Sequence, residues 1–231
     1  MSNRLKQIIF LVVILIAVIS LQVFNRKIYP QKGIKYVPIG DSYTIGLGVK
    51  EGERWPNILV DHLKKRGIDI YLASNPAVSG YTVRDAIEIE FPIVSKIKPD
   101  LVTVLVGAND NFSQRGIENY RNDLKELLNK LESLLEKPRN IVLITIPDHT
   151  KSPSFREYPK EEALKLIEEY NQIIKEEGKK RGLKVADIFP ISQKLIDEND
   201  FVFDGLHPSV KSYQEWEKAI FPIVLEILRV N

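Results

Sequence analysis

Short apolar segments alternate with longer amphipathic segments over most of the chain. The short segments are rich in β-branched residues, as β-strands are, and cover residues 35–39, 68–73, 101–106, 141–146 and 184–186. In the longer segments apolar residues recur every three or four positions, which predicts helices over residues 55–66, 82–97, 117–135, 161–181 and 208–228. The last helix is predicted to hold Pro208 in its first turn, where the missing N–H of proline is tolerated.

This alternation of strands and helices is typical of α/β folds. We expect a flavodoxin-like doubly wound domain, in which helices cover both faces of a five-stranded parallel sheet in three α/β/α layers. In such sheets, sites form in the loops that follow the carboxyl ends of the strands. The proline-rich segment over residues 147–159 predicts a long loop at one of these ends, and one hypothesis is that it covers the site.

The N-terminal segment has the character of a membrane span. Residues 8–24 carry no charge, and Ser20 and Gln22 are their only polar side chains. Seventeen helical residues extend roughly 25 Å, the lower end of what a bilayer requires. We expect residues 1–30 to form a transmembrane anchor and residues 31–231 to form one domain. A cleaved signal peptide and a buried core helix are the alternatives, although the segment contains no convincing cleavage site.

The orientation of this segment is left open by the basic residues on both of its sides. Arg4 and Lys6 precede it, and four Lys or Arg residues between positions 26 and 35 oppose them. We expect a single-pass protein of the cell membrane with its domain outside the cytoplasm. If the segment is cleaved, we expect a secreted protein.

Charge and cysteine content exclude several kinds of function. The formal net charge is +2, but residues 1–35 hold six basic and no acidic side chains, so the rest of the chain holds 27 basic and 31 acidic ones. Nucleic-acid binding relies on clustered cations, which this balance does not indicate. The absence of cysteine excludes disulfides, thiolate zinc sites and a cysteine nucleophile. Covalent catalysis would therefore use another residue type.

Polar strings follow three successive predicted strands. They read GDSYT at residues 40–44, NPAVSGYT at residues 75–82 and GAND at residues 107–110. Turns and helix N-caps explain each of these strings when it is taken alone. All three nevertheless fall at the edge of the sheet where a site is expected, and Ser42 in the first string is a candidate nucleophile.

A serine nucleophile needs a base, and the chain has three histidines. His62 lies in a lysine-rich amphipathic helix and is expected at the surface, whereas His149 follows a strand and is a candidate substrate contact. His207 stands three residues after Asp204 in the string DGLHP, so one loop can present both side chains. Asp204 would then accept the Nδ1 proton and leave Nε2 for Ser42. The alternative is that both residues only form a turn and a helix cap.

Taken in order, these strings resemble the blocks of the SGNH hydrolases, also called GDSL-like lipases and acylhydrolases. GDSYT matches the serine block, SGYT the glycine block, GAND the asparagine block and DGLH the Asp-x-x-His block. The resemblance implies that Ser42 is the nucleophile and that Asp204 and His207 complete the triad. It also implies an oxyanion hole formed by the backbone N–H groups of Ser42 and Gly80 and by the side-chain amide of Asn109. Supporting roles in these loops would fall to Asp41, Thr44 and Asp110.

The function expected from this resemblance is hydrolysis of a carboxylic ester through an acyl-enzyme, without a cofactor or a metal ion. A lipid ester, such as a lysophospholipid, is favoured as the substrate because an anchor would hold the domain near lipids. The alternatives are a carbohydrate O-deacetylase that acts on envelope polysaccharide and a non-catalytic binding module. The sequence gives no indication of the oligomeric state.

Overall fold

Five parallel strands form the sheet at the centre of the computed structural model, which describes residues 32–113, 115–157 and 159–230. The strands are β1 (Ile34–Gly40), β2 (Ile70–Leu72), β3 (Leu101–Leu105), β4 (Ile141–Ile144) and β5 (Lys184–Ala186). Their order in the sheet is β2-β1-β3-β4-β5, which is the flavodoxin-like order. The five-stranded parallel sheet predicted from the hydrophobic pattern is therefore confirmed.

Strand β1 extends beyond the end of its neighbour β2. The pairing with β2 covers only Ile34 to Tyr36, whereas the pairing with β3 continues until Gly40 lies opposite Leu105. Pro38 falls in the stretch that β2 no longer covers, so its missing N–H breaks no ladder bond on that side. The last residues of β1 thus leave one edge open to other parts of the chain.

Helices are present in all five segments in which amphipathic patterns predict them, and the structure adds three short helices that were not predicted, Ser42–Ile45, Ala108–Phe112 and Phe189–Ser192. In chain order the helices are α1 (Ser42–Ile45), α2 (Trp55–Lys65), α3 (Val83–Asp85), α4 (Phe91–Ile97), α5 (Ala108–Phe112), α6 (Ile117–Leu134), α7 (Lys160–Arg181), α8 (Phe189–Ser192) and α9 (Val210–Val230). A π-helical turn, Ala86–Glu90, joins α3 to α4, so the helix predicted over residues 82–97 is present but interrupted. Short 3₁₀ turns lie at Glu51–Glu53, Pro138–Asn140, His149–Lys151, Pro153–Phe155 and Glu198–Asp200.

Two helical layers cover the sheet. Helix α2 packs against α9, while α6 packs against α7 and against the α3–α4 segment. Strands β3 and β4 are buried along their whole length, as strands covered on both faces must be. This arrangement leaves the loops at the carboxyl ends of the strands as the accessible edge of the sheet.

The start of the last helix differs from the prediction. Pro208 does not lie in the first turn of α9; it forms an antiparallel bridge with Phe201, and α9 begins at Val210. The carbonyl of His207 accepts a hydrogen bond of 2.8 Å from the Val202 N–H, which fixes the residues before α9 as a closed loop. This pairing across the loop, which local propensity does not reveal, overrides the preference of proline for a helix start.

Among the described residues, no helix is both long and apolar enough to cross a membrane. The anchor expected over residues 8–24 lies outside those residues and stays a prediction. The division of the chain into residues 1–30 and 31–231 likewise stays a prediction.

Candidate active site

The turn between β1 and α1 places Ser42 at the carboxyl edge of the sheet. Ser42 is the first residue of α1, and Asp41 caps that helix by accepting a 2.9 Å hydrogen bond from the Tyr43 N–H. After one turn Gly46 ends the helix in the left-handed conformation that glycine adopts readily. Ser42 is therefore held by a capped, short helix rather than by an open loop.

Asp204 and His207 lie in one loop and are hydrogen-bonded to each other. The distance between His207 Nδ1 and Asp204 Oδ2 is 2.6 Å, and the other carboxylate oxygen, Oδ1, accepts the backbone N–H groups of Leu206 and His207 at 2.8 and 3.0 Å. Partial burial raises the pKa of Asp204, but these backbone N–H groups and the imidazole outweigh it and hold the pKa below the usual value. The ionised carboxylate fixes the ring so that Nε2 is the free nitrogen.

A cavity of about 270 Å³ brings Ser42 and His207 together with the other predicted residues. Gly80 and Asn109 also line it, and Phe112 forms part of its apolar wall. No hydrogen bond joins Ser42 to His207 among the described residues, as is common before substrate binds. The structure therefore gathers residues from four separate segments of the chain, and Asp204 joins them through His207.

Two backbone N–H groups at this cavity are available to a ligand. Within the described part of the chain, the N–H groups of Ser42 and Gly80 donate to no other group. Gly80 has a φ of +89°, a backbone conformation that residues with a side chain rarely adopt. Nothing lies within 4 Å of the position that a Cβ would occupy. The glycine is thus required by its backbone conformation and not by crowding.

Asn109 is held in place through its side-chain amide. Its Nδ2 donates to the carbonyl oxygen of Tyr81 at 2.9 Å and to Asp41 Oδ2 at 3.3 Å. Asp41 therefore connects the turn that carries Ser42 to the helix that carries Asn109. The longer of the two bonds is the weaker, so it is the one that a developing oxyanion could replace.

The predicted supporting residues Asp41, Thr44 and Asp110 are all buried, and two of them are acids. Burial raises the pKa of Asp41 to about 7, against the effect of the Tyr43 N–H. Burial also raises the pKa of Asp110 to about 6, and this carboxyl accepts the Val83 N–H at 3.0 Å.

In the described residues no group of three or more metal-ligating side chains could hold a metal ion.

The structure identifies contacts to His207 that the sequence reading missed. The ring of Tyr43 lies 5.9 Å from that of His207 in an edge-on arrangement, and on its other side it meets Trp216 at 5.8 Å. Tyr43 is buried, and its backbone carbonyl accepts a hydrogen bond of 3.1 Å from the indole N–H of Trp55. The sequence signal for this contact was the position of Tyr43 directly after Ser42. A short helix at the edge of the sheet must bury part of its surface, and a large aromatic side chain beside the nucleophile is a candidate for that buried part.

The loop over residues 147–159 is tied to the loop that carries the Asp–His pair. The Ser154 hydroxyl donates to the Asp204 carbonyl at 2.5 Å, and the Ser154 N–H donates to the Gly205 carbonyl at 3.0 Å. Within the same loop His149 and Phe155 are buried. The contacts thus connect this segment to the backbone of the Asp204 loop, while the hypothesis that it covers the site stays untested.

The other two histidines lie in different surroundings. His149 is buried between Phe112 and Phe155, at ring distances of 4.5 and 5.2 Å, and burial lowers its pKa to about 4. His62 lies on α2, pairs with Glu217 at 3.0 Å and is absent from the lining of the cavity. The structure therefore places only His207, of the three, beside Ser42 in that cavity.

The sequence profile of the GDSL-like Lipase/Acylhydrolase family matches residues 39–215, which include every candidate residue named above. The chain belongs to this family. It is 26% identical to an arylesterase of Vibrio mimicus over 194 residues, which are 80% of this chain and 85% of that protein. It is 28% identical to GDSL esterase/lipase WDL1 of Oryza sativa subsp. japonica over 191 residues, which are 76% and 70% of the two chains.

Solved structures share the fold. The acetylxylan esterase Axe2 of Geobacillus stearothermophilus superposes with a TM-score of 0.67 at 21% identity, over 84% of this chain and 94% of that one. Membership of the family makes this chain a serine ester hydrolase, as the resemblance of its motifs indicated.

Proposed function

We propose that the protein hydrolyses carboxylic esters through an acyl-enzyme formed on Ser42. Ser42 Oγ attacks the ester carbonyl, and His207 Nε2 takes its proton and passes it to the leaving alcohol. Water, deprotonated by the same imidazole, then releases the acid. The observation that carries the proposal is the cavity at which Ser42 and His207 meet, with Asp204 bonded to the far nitrogen of the ring.

The oxyanion of each tetrahedral intermediate would be bound by donors on three loops. We assign them to the N–H groups of Ser42 and Gly80 and to the Asn109 amide, which all belong to residues lining the cavity. Two of these donors are backbone groups without a partner among the described residues, and the third would exchange its weak bond to Asp41. Preorganised donors of this kind stabilise charge that develops only during the reaction.

Replacing Asn109 with alanine is expected to lower kcat by about 10² to 10³ with little change in KM, because one oxyanion donor is lost. Asn111→Ala is the matched control: it lies on the same helix, but its amide donates to the Ala163 carbonyl at 3.1 Å and does not line the cavity. Steady-state kinetics on one ester would check both variants. Equal losses in the two variants would contradict an oxyanion role for Asn109.

The lining of the cavity favours an aliphatic acyl group. Phe112, Leu206 and Ala108 contribute apolar surface, and no acidic or basic side chain other than His207 lines it among the described residues. We propose lipid or lysophospholipid-like acyl esters as substrates on this ground. Removal of acetyl groups from a carbohydrate is the alternative, and it is the activity named for the Axe2 enzyme that shares the fold.

A series of p-nitrophenyl esters from acetyl to octanoyl separates these substrates. We expect kcat/KM to rise with chain length, because each added methylene that becomes buried contributes about 0.8 kcal/mol. A preference for acetyl would favour the deacetylase instead, and acetylated oligosaccharides would then be tested directly. Absence of hydrolysis over the whole series would contradict the proposed function.

We further propose that residues 8–24 anchor the domain to the cell membrane with the domain outside the cytoplasm. The support for an anchor is the uncharged length of this segment, whereas the side of the membrane is left to experiment. Washing membranes at alkaline pH distinguishes the possibilities, because an anchored protein is retained and a cleaved one is released. Digestion of the domain by protease added outside intact cells would support the proposed side.

A further inference from the structure

The open edge of β1 ends at the turn that carries Ser42. Alternate residues of a strand direct their N–H groups to the same side, and the Ile34 N–H donates to Asp69 on the β2 side. The N–H of Gly40 therefore points to that side too, beyond the point at which β2 has ended. Pro38 has no N–H to satisfy, so Gly40 is the one residue of this stretch that needs an acceptor there.

Glu90 supplies that acceptor. Its Oε2 accepts the Gly40 N–H at 3.1 Å, and its side chain is fully buried. The π-helical turn Ala86–Glu90 ends on this residue, and such turns occur often at functional sites. Gly40 itself has little room to move, since a Cβ on it would lie 2.4 Å from the Leu105 carbonyl oxygen. The Glu90 carboxyl thus holds one side of a strand end that β3 holds on the other.

We propose that Glu90 is a positioning residue, whose carboxyl fixes the strand end before Ser42 through its hydrogen bond to Gly40 and thereby sets the position of the nucleophile. The proposal rests on the proposed role of Ser42. Glu90 does not line the cavity, so we expect it to act through Gly40 and the turn that follows.

The surroundings of Glu90 favour the neutral form. Burial raises its pKa to about 8, with further contributions from the charges of Asp41 and Asp85. Its second oxygen, Oε1, is buried and has no hydrogen-bond partner among the described residues. Without a donor at this oxygen, the ionised carboxylate is less stable than the neutral acid. The cations in this layer are committed elsewhere: Arg84 pairs with Asp123 and Glu126, and Arg115 pairs with Asp123 and Asp110.

Ionisation of Glu90 would place a second negative charge near Asp41. Asp41 is the residue that caps α1 and binds the Asn109 amide, so repulsion between the two carboxylates acts directly on the turn. Burial raises the pKa of Asp41 to about 7 and that of Glu90 to about 8, so the second charge enters only at alkaline pH. The structure therefore links the protonation of Glu90 to the geometry around Ser42.

The test compares the pH dependence of kcat/KM in wild type, Glu90→Gln and Glu90→Ala, measured by pH-stat on one ester between pH 6 and 10. Wild type should lose activity with a midpoint near pH 8, where Glu90 ionises. Glu90→Gln keeps a neutral acceptor for Gly40, so it should retain wild-type activity at pH 7 and move this midpoint up by about one pH unit or more. Glu90→Ala should lower kcat at pH 7 by about 10- to 100-fold with little change in KM, because the nucleophile is displaced.

Thermal unfolding provides a second readout. Unfolded Glu90 releases its proton near pH 4.5 and folded Glu90 near pH 8, so between these values the unfolded state binds fewer protons and rising pH favours unfolding. The stability that this raised pKa provides is complete below pH 4.5 and is lost as the pH rises to about 8. The Tm of wild type should therefore fall relative to that of Glu90→Gln across this window.

Glu88→Gln is the matched control, since Glu88 lies on the same π-helical turn with its side chain exposed. It should reproduce the wild-type pH profile and Tm. An alkaline midpoint that is identical in wild type and Glu90→Gln would overturn the proposal, even if Glu90→Ala failed to fold. Failure of the proposed function has a different signature, because Ser42→Ala would then remain active whatever the Glu90 variants do.

Discussion

Ser42→Ala is expected to lower kcat for ester hydrolysis by on the order of 10⁶, while KM and the thermal stability stay close to those of wild type. The loss is large because the residues of a serine triad act as a unit, so that the remaining members lose most of their effect when the nucleophile is removed. Ser42 is buried at the start of α1, and the side chain that caps this helix belongs to Asp41. Removal of the Ser42 hydroxyl therefore leaves the helix cap intact. Initial rates on a p-nitrophenyl ester provide the measurement.

Covalent labelling sharpens this test. A fluorophosphonate should label wild type, and peptide mapping should locate the label on Ser42, whereas Ser42→Ala should stay unlabelled. Ser133→Ala is a suitable control, because Ser133 lies exposed on α6 with its hydroxyl donating to the Asn129 carbonyl. Full esterase activity in Ser42→Ala, or a label on a different serine, would remove the proposed mechanism.

His207→Ala is expected to lower kcat by a similar factor, on the order of 10⁶, since the base and the nucleophile depend on each other. Asp204→Ala should lower it less, by about 10⁴, because the imidazole keeps its place beside Ser42 but loses the carboxylate that orients it. The ordering of the two losses follows from the geometry. Single-turnover and steady-state rates on the same ester would establish it.

The remaining histidines provide the controls for this prediction. His62→Gln should leave the kinetics unchanged, because His62 pairs with Glu217 away from the cavity. His149→Gln should affect KM more than kcat, since His149 contacts the cavity wall through Phe112 and not Ser42. A loss in either variant as large as that in His207→Ala would show that the base has been assigned to the wrong residue.

Local pattern was sufficient for most of the fold. Alternating apolar segments predicted all five strands and the main helices within a few residues, because a strand buried on both faces and an amphipathic helix each leave a periodic signal in the sequence. The prediction failed at Pro208, whose backbone is fixed by a bridge to Phe201. It also missed the π-helical turn Ala86–Glu90, which carries no distinct periodicity of its own.

The candidate site divides in the same way. The strings around Ser42, Gly80, Asn109 and His207 could be found in the sequence, because turns and special backbone conformations restrict which residues can stand there. Glu90 could have been noticed, since it lies four residues after Ala86 and four before Val94 on a buried face. What could not be predicted is its partner, the N–H of a glycine 50 positions earlier in the chain.

The sequence by itself determined the alternation of strands and helices, the polar strings at their junctions and the family to which these strings belong. Only the tertiary structure decided which of these groups meet. Strand order places the four segments around one cavity, and burial raises the pKa of Asp41 and that of Glu90. The physical reason is that periodicity and turn chemistry act between near neighbours in the chain, whereas the packing and electrostatic environment of a site come from residues that are distant in sequence.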